Sequence, residues 1–135
     1  ENNLIQRYIN VCKNIKHKYI IRLTADNPLI EKKILYFAIN NHIQKKNKVS
    51  STRFVKKNKI IRYFPKGQSI DIFNRDIFLS IKDKKINNFD KEHVISYFQK
   101  KFKFNKISNN KLKMNFKFKN YSIDTIEDYF KLIKF

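Results

Sequence analysis

The sequence predicts one domain of mixed α/β class, and three observations support this prediction. Segments with apolar residues at helical spacing alternate along the chain with short β-branched runs. A length of 135 residues suits one hydrophobic core rather than two. Hydrophobic residues make up 41% of the chain, which is enough to build a packed core, and no linker rich in Pro, Gly or Ser divides the sequence. We therefore expect residues 1–135 to form a single domain.

The first third of the chain predicts a helix, a strand, a loop and a second helix. Residues 2–16 place apolar side chains on one helical face. Residues 18–24 form a nearly continuous β-branched run, which is typical of a strand that is covered on both faces. The sequence ADNP at 25–28 ends this strand, and residues 29–44 return to helical spacing. This order favours a parallel α/β sheet.

The remainder of the chain predicts further strands and helices. Strands are expected at 48–55, 59–65, 68–73, 103–108, 111–120 and 122–125. Helices are expected at 75–82, 91–102 and 126–135. Pro65 and Gly67 indicate a turn. Asp90 is the expected N-cap of the helix at 91–102, and Thr125 with Asp128 matches a capping box for the last helix.

The chain is strongly basic, with a net charge of +20. Such a charge is typical of proteins that bind nucleic acid, acidic lipid or a phosphorylated ligand. The same excess of Lys beside Asn and Ile also results from A/T-rich codons, so the charge alone does not assign a partner. Alternating Lys and Phe at 100–106 and 111–120 fit base stacking, and they equally fit a strand with one buried face. No RNA-recognition signature, zinc spacing or helix-turn-helix pattern supports a specific nucleic-acid partner.

Cys12 is the only cysteine, which excludes an internal disulfide and fits a reducing compartment. Its helical position among apolar neighbours predicts a buried structural thiol rather than a nucleophile. No apolar stretch approaches the roughly 20 residues that span a bilayer, and no signal peptide is recognisable. We expect a cytoplasmic protein without a membrane partner.

Two aspartates occupy the ends of predicted strands. Asp26 follows the strand at 18–24, and Asp124 lies in the short strand before the last helix. Ligands of open α/β sheets bind beyond the carboxyl ends of the strands, and two carboxylates that meet there could hold Mg²⁺. Asp is also a common helix cap and turn former, and for either residue taken alone this structural role is favoured. Spacing alone does not show that the two carboxylates meet.

Four segments occur in the order of the motifs of one enzyme family. RLTADNPLIEKKIL at 22–35 is similar to a signature that reads Arg, aliphatic, Thr, Gly, Asp, any residue, Pro, Leu. Similar later motifs are RYFPKGQSIDIF at 62–73, FDKEHVISYF at 89–98 and YSIDTIEDYFKLIK at 121–134, and ENNLIQRYINV at 1–11 is similar to the stretch ahead of the signature. By these motifs, the chain resembles the cytidylyltransferases that activate acidic sugars, a group that includes the spore-coat polysaccharide and acylneuraminate cytidylyltransferases.

This resemblance implies a three-layer α/β/α Rossmann-like fold of the nucleotide-diphospho-sugar transferase type. It implies transfer of CMP from CTP to an acidic sugar, with release of pyrophosphate, in the synthesis of surface polysaccharides or glycans. The resemblance allows several acceptor sugars, namely neuraminic, pseudaminic, legionaminic and 3-deoxy-octulosonic acids, and does not identify which of them is used. Enzymes of this type are often dimers, and a homodimer is therefore implied as well.

The resemblance also implies a metal site and two anion contacts. Asp26 and Asp124 match the two acids that hold the catalytic Mg²⁺. Arg22 and Arg62 match arginines that face phosphate or the sugar carboxylate, a role that suits a planar bidentate donor.

Positions near the implied sugar site match the family less closely. His93 would help to recognise the acidic sugar and Glu92 would orient neighbouring groups, although a histidine in the first turn of a helix is also a common surface or packing residue. Ser69 stands where the family has Asp, and Ser51 stands where it has Asn. Only Asp71 keeps an acid, at the position of a family Glu.

These 135 residues do not contain the family's N-terminal strand and glycine-rich loop, which bind the CTP phosphates and base. Gly67 is the only glycine, so no other segment resembles a phosphate-binding loop. We therefore expect the chain to correspond to the C-terminal two thirds of an enzyme and to show no CTP turnover by itself. A degenerate relative without catalysis and a basic nucleic-acid-binding module are the alternatives.

Overall fold

The computed structural model describes residues 3–82 and 86–134. The helices are α1 (Leu4–Asn14), α2 (Lys32–Gln44), α3 (Arg75–Leu79), α4 (Asn88–Glu92), α5 (Val94–Lys101) and α6 (Ile126–Ile133). The strands are β1 (Tyr19–Arg22), β2 (Val49–Ser51), β3 (Arg53–Lys56), β4 (Lys59–Arg62), β5 (Asp71–Asn74) and β6 (Phe104–Lys106). Asn2 of the first predicted helix and Phe135 of the last lie outside the described residues. No helix in the described part of the chain has the length and apolar character to cross a membrane.

Helix α1 begins at an asparagine cap and packs one apolar stripe inward. The Asn3 side chain accepts a hydrogen bond from the backbone N–H of Gln6 at 3.1 Å. Ile5 and Cys12 lie two turns apart and are both buried. Burial also raises the pKa of the Cys12 thiol, which keeps this group protonated and unreactive. The predicted first helix and its structural thiol are confirmed.

The main sheet has the strand order β1-β5-β2-β6. Strands β2 and β6 are parallel, whereas β5 lies between β1 and β2 and runs antiparallel to both. The parallel sheet that the first third of the chain favours is therefore a mixed sheet, with β5 as its antiparallel strand. The reason is geometric: β2 ends at Ser51, the chain forms a hairpin at that edge, and β5 starts at Asp71 beside Ser51 and must run back.

Helices cover both faces of this sheet, as expected for a three-layer α/β/α fold. Consecutive residues of β5 face opposite sides. Phe73 packs against Phe78 of α3 and Phe98 of α5, with ring centroids 5.2 and 5.1 Å away. Ile72 packs on the other side in a core that includes Ile34 of α2. The predicted mixed α/β class is confirmed.

The predicted strand at 48–55 is two strands in different sheets. Residues of β2 belong to the main sheet, whereas β3 pairs with β4 in a separate two-stranded sheet. Lys57 and Asn58 connect β3 to β4 with φ values of 48° and 57°, the left-handed conformation of a two-residue hairpin turn. Thr52 marks the break, because its hydroxyl accepts a hydrogen bond from the Ile70 N–H and its N–H donates to the Ile70 carbonyl.

The predicted helix at 91–102 is interrupted. His93 has φ −103° and ψ 76°, which separates α4 from α5. The expected cap at Asp90 was wrong: Asn87 caps α4 by accepting the Asp90 N–H at 2.8 Å. The Asp90 carboxylate instead accepts a hydrogen bond from Lys100 Nζ at 2.8 Å. The acid thus joins the two short helices.

Three other boundaries differ from expectation. Helix α3 ends at Leu79, and the segments at 111–120 and 122–125 form no strand, although Lys66 and Asn120 form an isolated parallel bridge. Side chains at 111–120 nevertheless alternate between exposed and partly buried, with the lysines outward. The capping box of α6 is confirmed by reciprocal hydrogen bonds between Thr125 and Asp128.

Candidate active site

The ends of four strands bring polar residues together at one edge of the main sheet. Strands β1, β2 and β6 end there, and the antiparallel strand β5 begins there. The strand register pairs Asp71 with Arg22 on one side and with Ser51 on the other. This is the edge at which α/β sheets bind ligands.

Asp71 is the centre of a buried ion network. Its Oδ2 accepts hydrogen bonds from Arg22 Nη1 and Arg53 Nη2, each at 2.9 Å, and its Oδ1 accepts one from Ser51 Oγ at 2.5 Å. Burial acts to raise the pKa of Asp71, but Arg53, Arg22 and the Ser51 hydroxyl outweigh it and hold this pKa below its usual range. Two guanidinium groups share one carboxylate, so the network retains a positive charge.

Asp26 lies on a tight turn directly after β1. The Asn27 N–H donates to the Thr24 carbonyl at 3.0 Å, and Asn27 Nδ2 donates to Thr24 Oγ1 at 2.6 Å. Ala25 and Asp26 occupy the exposed corner of this turn. Because Asn27 is buried and bonded, the turn holds the backbone of Asp26 in a fixed place at the sheet edge.

The structure brings Asp26 and Asp124 together. The Ile123 N–H donates to the Asp26 carbonyl at 2.8 Å, which places the residue before Asp124 against the turn. Asp124 Oδ2 accepts hydrogen bonds from Lys66 Nζ and from Ser122 Oγ, the latter at 3.1 Å. These bonds, with the charges of Lys66 and Arg62, lower the pKa of Asp124. Asp124 is therefore ionised at neutral pH.

Arg62, at the end of β4, lies close enough to Arg53 and to Asp124 to interact electrostatically with both. Burial lowers its pKa, repulsion from Arg53 lowers it further, and attraction to Asp124 opposes both. The pKa of Arg53 is raised, because Asp71 and also Asp26 more than offset the opposite effect of burial. Arg62 thus lies near Asp124 and Arg53 lies near Asp26, while Arg22 is bonded to Asp71.

A cavity of 440 Å³ lies between α1 and the carboxyl end of β1. Its walls are formed by Leu4, Arg7, Tyr8, Val11, Arg22, Thr24 and Ala25. The Arg22 side chain is 10% exposed, and its buried Nε has no hydrogen-bond partner. The cavity therefore combines apolar walls with arginine donors, which suits a ligand that has an anionic group and an apolar face.

Glu92 and His93 are not joined to this arrangement. Glu92 is the exposed last residue of α4, and the His93 ring packs edge-on against Phe89 with centroids 4.4 Å apart. Across residues 3–82 and 86–134, no hydrogen bond or ion pair connects either residue with Asp26 or Asp124.

The donor set at the two aspartates is small. Within the described residues, no group of three or more His, Cys, Asp or Glu side chains is placed to hold a metal ion. Mg²⁺ is nevertheless commonly bound by one or two carboxylates, with water and substrate phosphate completing its octahedron. Asp26 and Asp124 fit that manner of binding.

The comparisons with known proteins concern the family and the fold. Residues 1–135 match the family described as cytidylyltransferase. The chain belongs to the cytidylyltransferase family. A structure of a cytidylyltransferase from Leptospira borgpetersenii serovar Hardjo-bovis (strain JB197) is similar, with 31% identity and a TM-score of 0.73 over 97% of this chain and 53% of that chain. This cytidylyltransferase chain thus spans about half the length of that relative, and it has no significant match among the curated proteins.

Sequence reasoning did not assign three residues to this arrangement. Arg53 and Lys66 were not singled out, and Asp71 was considered only as a remnant of the family's acidic motif. Lys66 lies inside the quoted motif RYFPKGQSIDIF, and Arg53 follows Thr52 in STRF, but lysine and arginine are too frequent in this chain for either position to stand out.

Proposed function

We propose that this chain carries the metal-binding and sugar-binding part of a CTP-dependent enzyme that transfers CMP to an acidic sugar and releases pyrophosphate. The observation that carries the proposal is the Ile123–Asp26 backbone bond, which sets Asp124 beside Asp26. The arginines around these acids supply the positive potential that phosphates and a sugar carboxylate require.

Asp26 and Asp124 would hold Mg²⁺ at the edge of the sheet. The bound ion would neutralise charge on the phosphates during an in-line displacement. The chain's own contribution is placement: the turn at Thr24–Asn27 fixes Asp26, and Ser122 orients Asp124 through its hydroxyl. Prepositioned carboxylates need little reorganisation when the charged ligands arrive.

The anionic end of the sugar would lie against Arg62 and the unused donors of Arg22. Arg62 is exposed at the mouth of the site, and Arg22 contributes to the wall of the cavity beside α1. We place the sugar here rather than at Glu92 and His93, because Arg62 is attracted to Asp124, and Arg22 is bonded to Asp71 at the same edge of the sheet.

Binding of an acidic sugar to the chain tests this proposal. We expect N-acetylneuraminic acid or 3-deoxy-octulosonic acid to shift the amide resonances around Arg22 and Arg62 in ¹⁵N-labelled protein, and neutral N-acetylmannosamine to leave them unchanged. Arg62→Gln should weaken acidic-sugar binding roughly tenfold, the usual effect of a lost charge-assisted hydrogen bond. Lys59→Gln, at the far end of the same strand, is the matched control.

Equal shifts with the acidic and neutral sugars, or equal weakening by both substitutions, would contradict the proposed site.

A second measurement concerns catalysis. We expect no CMP-sugar from CTP, Mg²⁺ and acidic sugar with these 135 residues alone, because they hold no glycine-rich phosphate loop. Formation of CMP-sugar by this chain would show that it binds the nucleotide in another way.

A further inference from the structure

Lys66 is fixed by its backbone next to the segment that leads to Asp124. The Lys66 N–H donates to the Lys119 carbonyl at 3.2 Å, and the Tyr121 N–H donates to the Lys66 carbonyl at 2.8 Å. At the following residue, Gly67, the chain passes so close to the Tyr121 backbone that no Cβ would fit between them. The root of the Lys66 side chain is therefore held in place, whereas its four-carbon stem is free to turn.

The Lys66 ammonium group occupies one of the two carboxylate oxygens through which Asp124 would bind a metal ion. Its Nζ bonds to Asp124 Oδ2, the same oxygen that accepts the Ser122 hydroxyl. The Lys66 and Asp124 side chains are 45% and 40% exposed. Exposed ion pairs of this kind are weak, so a divalent cation or an anionic ligand competes with them readily.

We propose that Lys66 is a positioning residue that stands in for the metal ion at Asp124 and moves to an anionic ligand when the metal binds. This inference rests on the proposed metal role of the two aspartates. The ammonium group holds the Asp124 carboxylate in one orientation and balances its charge in the absence of metal. An ammonium group and a divalent cation on the same oxygen repel, so metal entry displaces Lys66.

The displaced Lys66 ammonium group would bind the phosphate of the ligand. Its three donors reorient easily and suit phosphate oxygens, and the metal ion and the phosphate would enter at the same edge. Metal binding and anion binding are then linked: an anion that takes Lys66 from Asp124 tightens the metal, and the metal tightens the anion by the same factor.

Metal affinity is the measurement that separates this role from a structural one. Mn²⁺ is added to ¹⁵N-labelled protein, and paramagnetic broadening is followed at residues 24–27 and 122–125. We expect Lys66→Met to bind Mn²⁺ about tenfold more tightly than the wild type, because one competing and repelling charge is gone. A lysine that merely supported the local structure would give the opposite change. Lys119→Met, which removes an exposed charge in the adjoining segment, should alter the affinity less than about twofold.

The linkage supplies the second readout. Pyrophosphate should raise the Mn²⁺ affinity of the wild type more than that of Lys66→Met. Asp124→Asn should abolish the broadening, which shows that the Mn²⁺ ion is bound at Asp124. With that control in place, unchanged or weaker Mn²⁺ binding by both Lys66→Met and Lys66→Gln would overturn the proposal for Lys66 and leave the metal site in place. Absence of site-specific broadening in every variant would overturn the metal assignment itself and the Lys66 proposal with it.

Discussion

Asp71 holds three side chains at the sheet edge, and all three belong to residues that are distant from it in the sequence. Its partners Arg22 and Arg53 are 49 and 18 residues away, and Ser51 is 20 residues away. The carboxylate is 1% exposed, whereas the two arginines keep one edge toward the site. Asp71 therefore acts as a shared counter-ion that lets two like-charged arginines lie side by side at the sheet edge.

Removal of the Asp71 charge should destabilise the protein strongly. We expect Asp71→Asn to lower the free energy of unfolding by about 3 kcal/mol or more, because two buried guanidinium groups would lose their counter-ion. Urea denaturation measures this change. Asp76→Asn is the matched control, since Asp76 pairs with Lys48 on the surface with side chains 59% and 47% exposed. Its loss should stay within about 1 kcal/mol, and an equally small loss for Asp71→Asn would show that the network is not needed for folding.

The sequence indicated the identity of some site residues but not their partners. The motifs around Asp26 and Asp124 drew attention to both acids, and the structure places the segment before Asp124 against the turn that carries Asp26. Arg22 was expected to face a ligand, yet one of its nitrogens is bound to Asp71. This pairing depends on the register of β1 against β5, and register follows from the strand order, which local patterns do not contain.

At the scale of elements, helices with a clear stripe were predictable, whereas breaks within a continuous pattern were not. The run at 48–55 is uniformly β-like, and nothing in its composition marks the change of sheet at Thr52. The helical spacing at 91–102 likewise continues through His93, where the backbone leaves the helical region. At Thr52 the break goes with a contact to Ile70, which lies 18 residues away and outside the window that a local pattern covers. At His93 the two short helices are joined by the Asp90–Lys100 bond, which the spacing of apolar residues does not reveal.

The contact between the β4–β5 connection and the segment before α6 depends on a glycine. Gly67 has φ +89°, and a Cβ at this position would lie 2.3 Å from the carbonyl carbon of Tyr121. We expect Gly67→Ala to lower the free energy of unfolding by about 2 to 4 kcal/mol, from the unfavourable φ and from the overlap. Urea denaturation provides the measurement.

Gly67→Asn separates the two causes. Asparagine tolerates a left-handed φ but carries the same Cβ, so a similar loss for both variants identifies the close approach as the main cause. Near-wild-type stability of Gly67→Asn would show instead that the two segments move apart easily. The bonds that anchor Lys66 would then be less rigid than the structure indicates.

At the scale of the whole molecule, a buried histidine ties the layer of α2 to the sheet. His42 Nδ1 lies 2.7 Å from Ser50 Oγ of β2, and Nε2 lies 2.9 Å from Asn74 Oδ1 of β5. Asn105 of β6 also donates to Ser50 Oγ at 3.2 Å. Because the Asn74 oxygen only accepts, Nε2 carries the proton and Nδ1 accepts from Ser50. The neutral imidazole thus joins one helix to three strands.

This network should make the stability of the whole domain depend on pH. Burial lowers the pKa of His42 below its ordinary value of 6.5, and the bond to Asn74 opposes this only in part. The unfolded chain therefore binds a proton more readily than the folded chain. The stability that the neutral His42 contributes is complete above pH 6.5 and is lost as the pH falls from 6.5 toward the lower pKa of the folded state. We expect the free energy of unfolding to decrease between about pH 7 and pH 5, with a slope of at most about 1.4 kcal/mol per pH unit.

Urea denaturation across this range distinguishes His42 from the other titrating groups. Asp71, Asp90 and Asp124 have pKa values lowered from 3.8, so the stability that they contribute is lost only under more acidic conditions. His42→Gln should remove most of the slope between pH 7 and pH 5, whereas His17→Gln, at an exposed position, should retain it. A slope that survives in His42→Gln would mean that the α2 layer is not held by the neutral imidazole, and that protonation elsewhere loosens the fold.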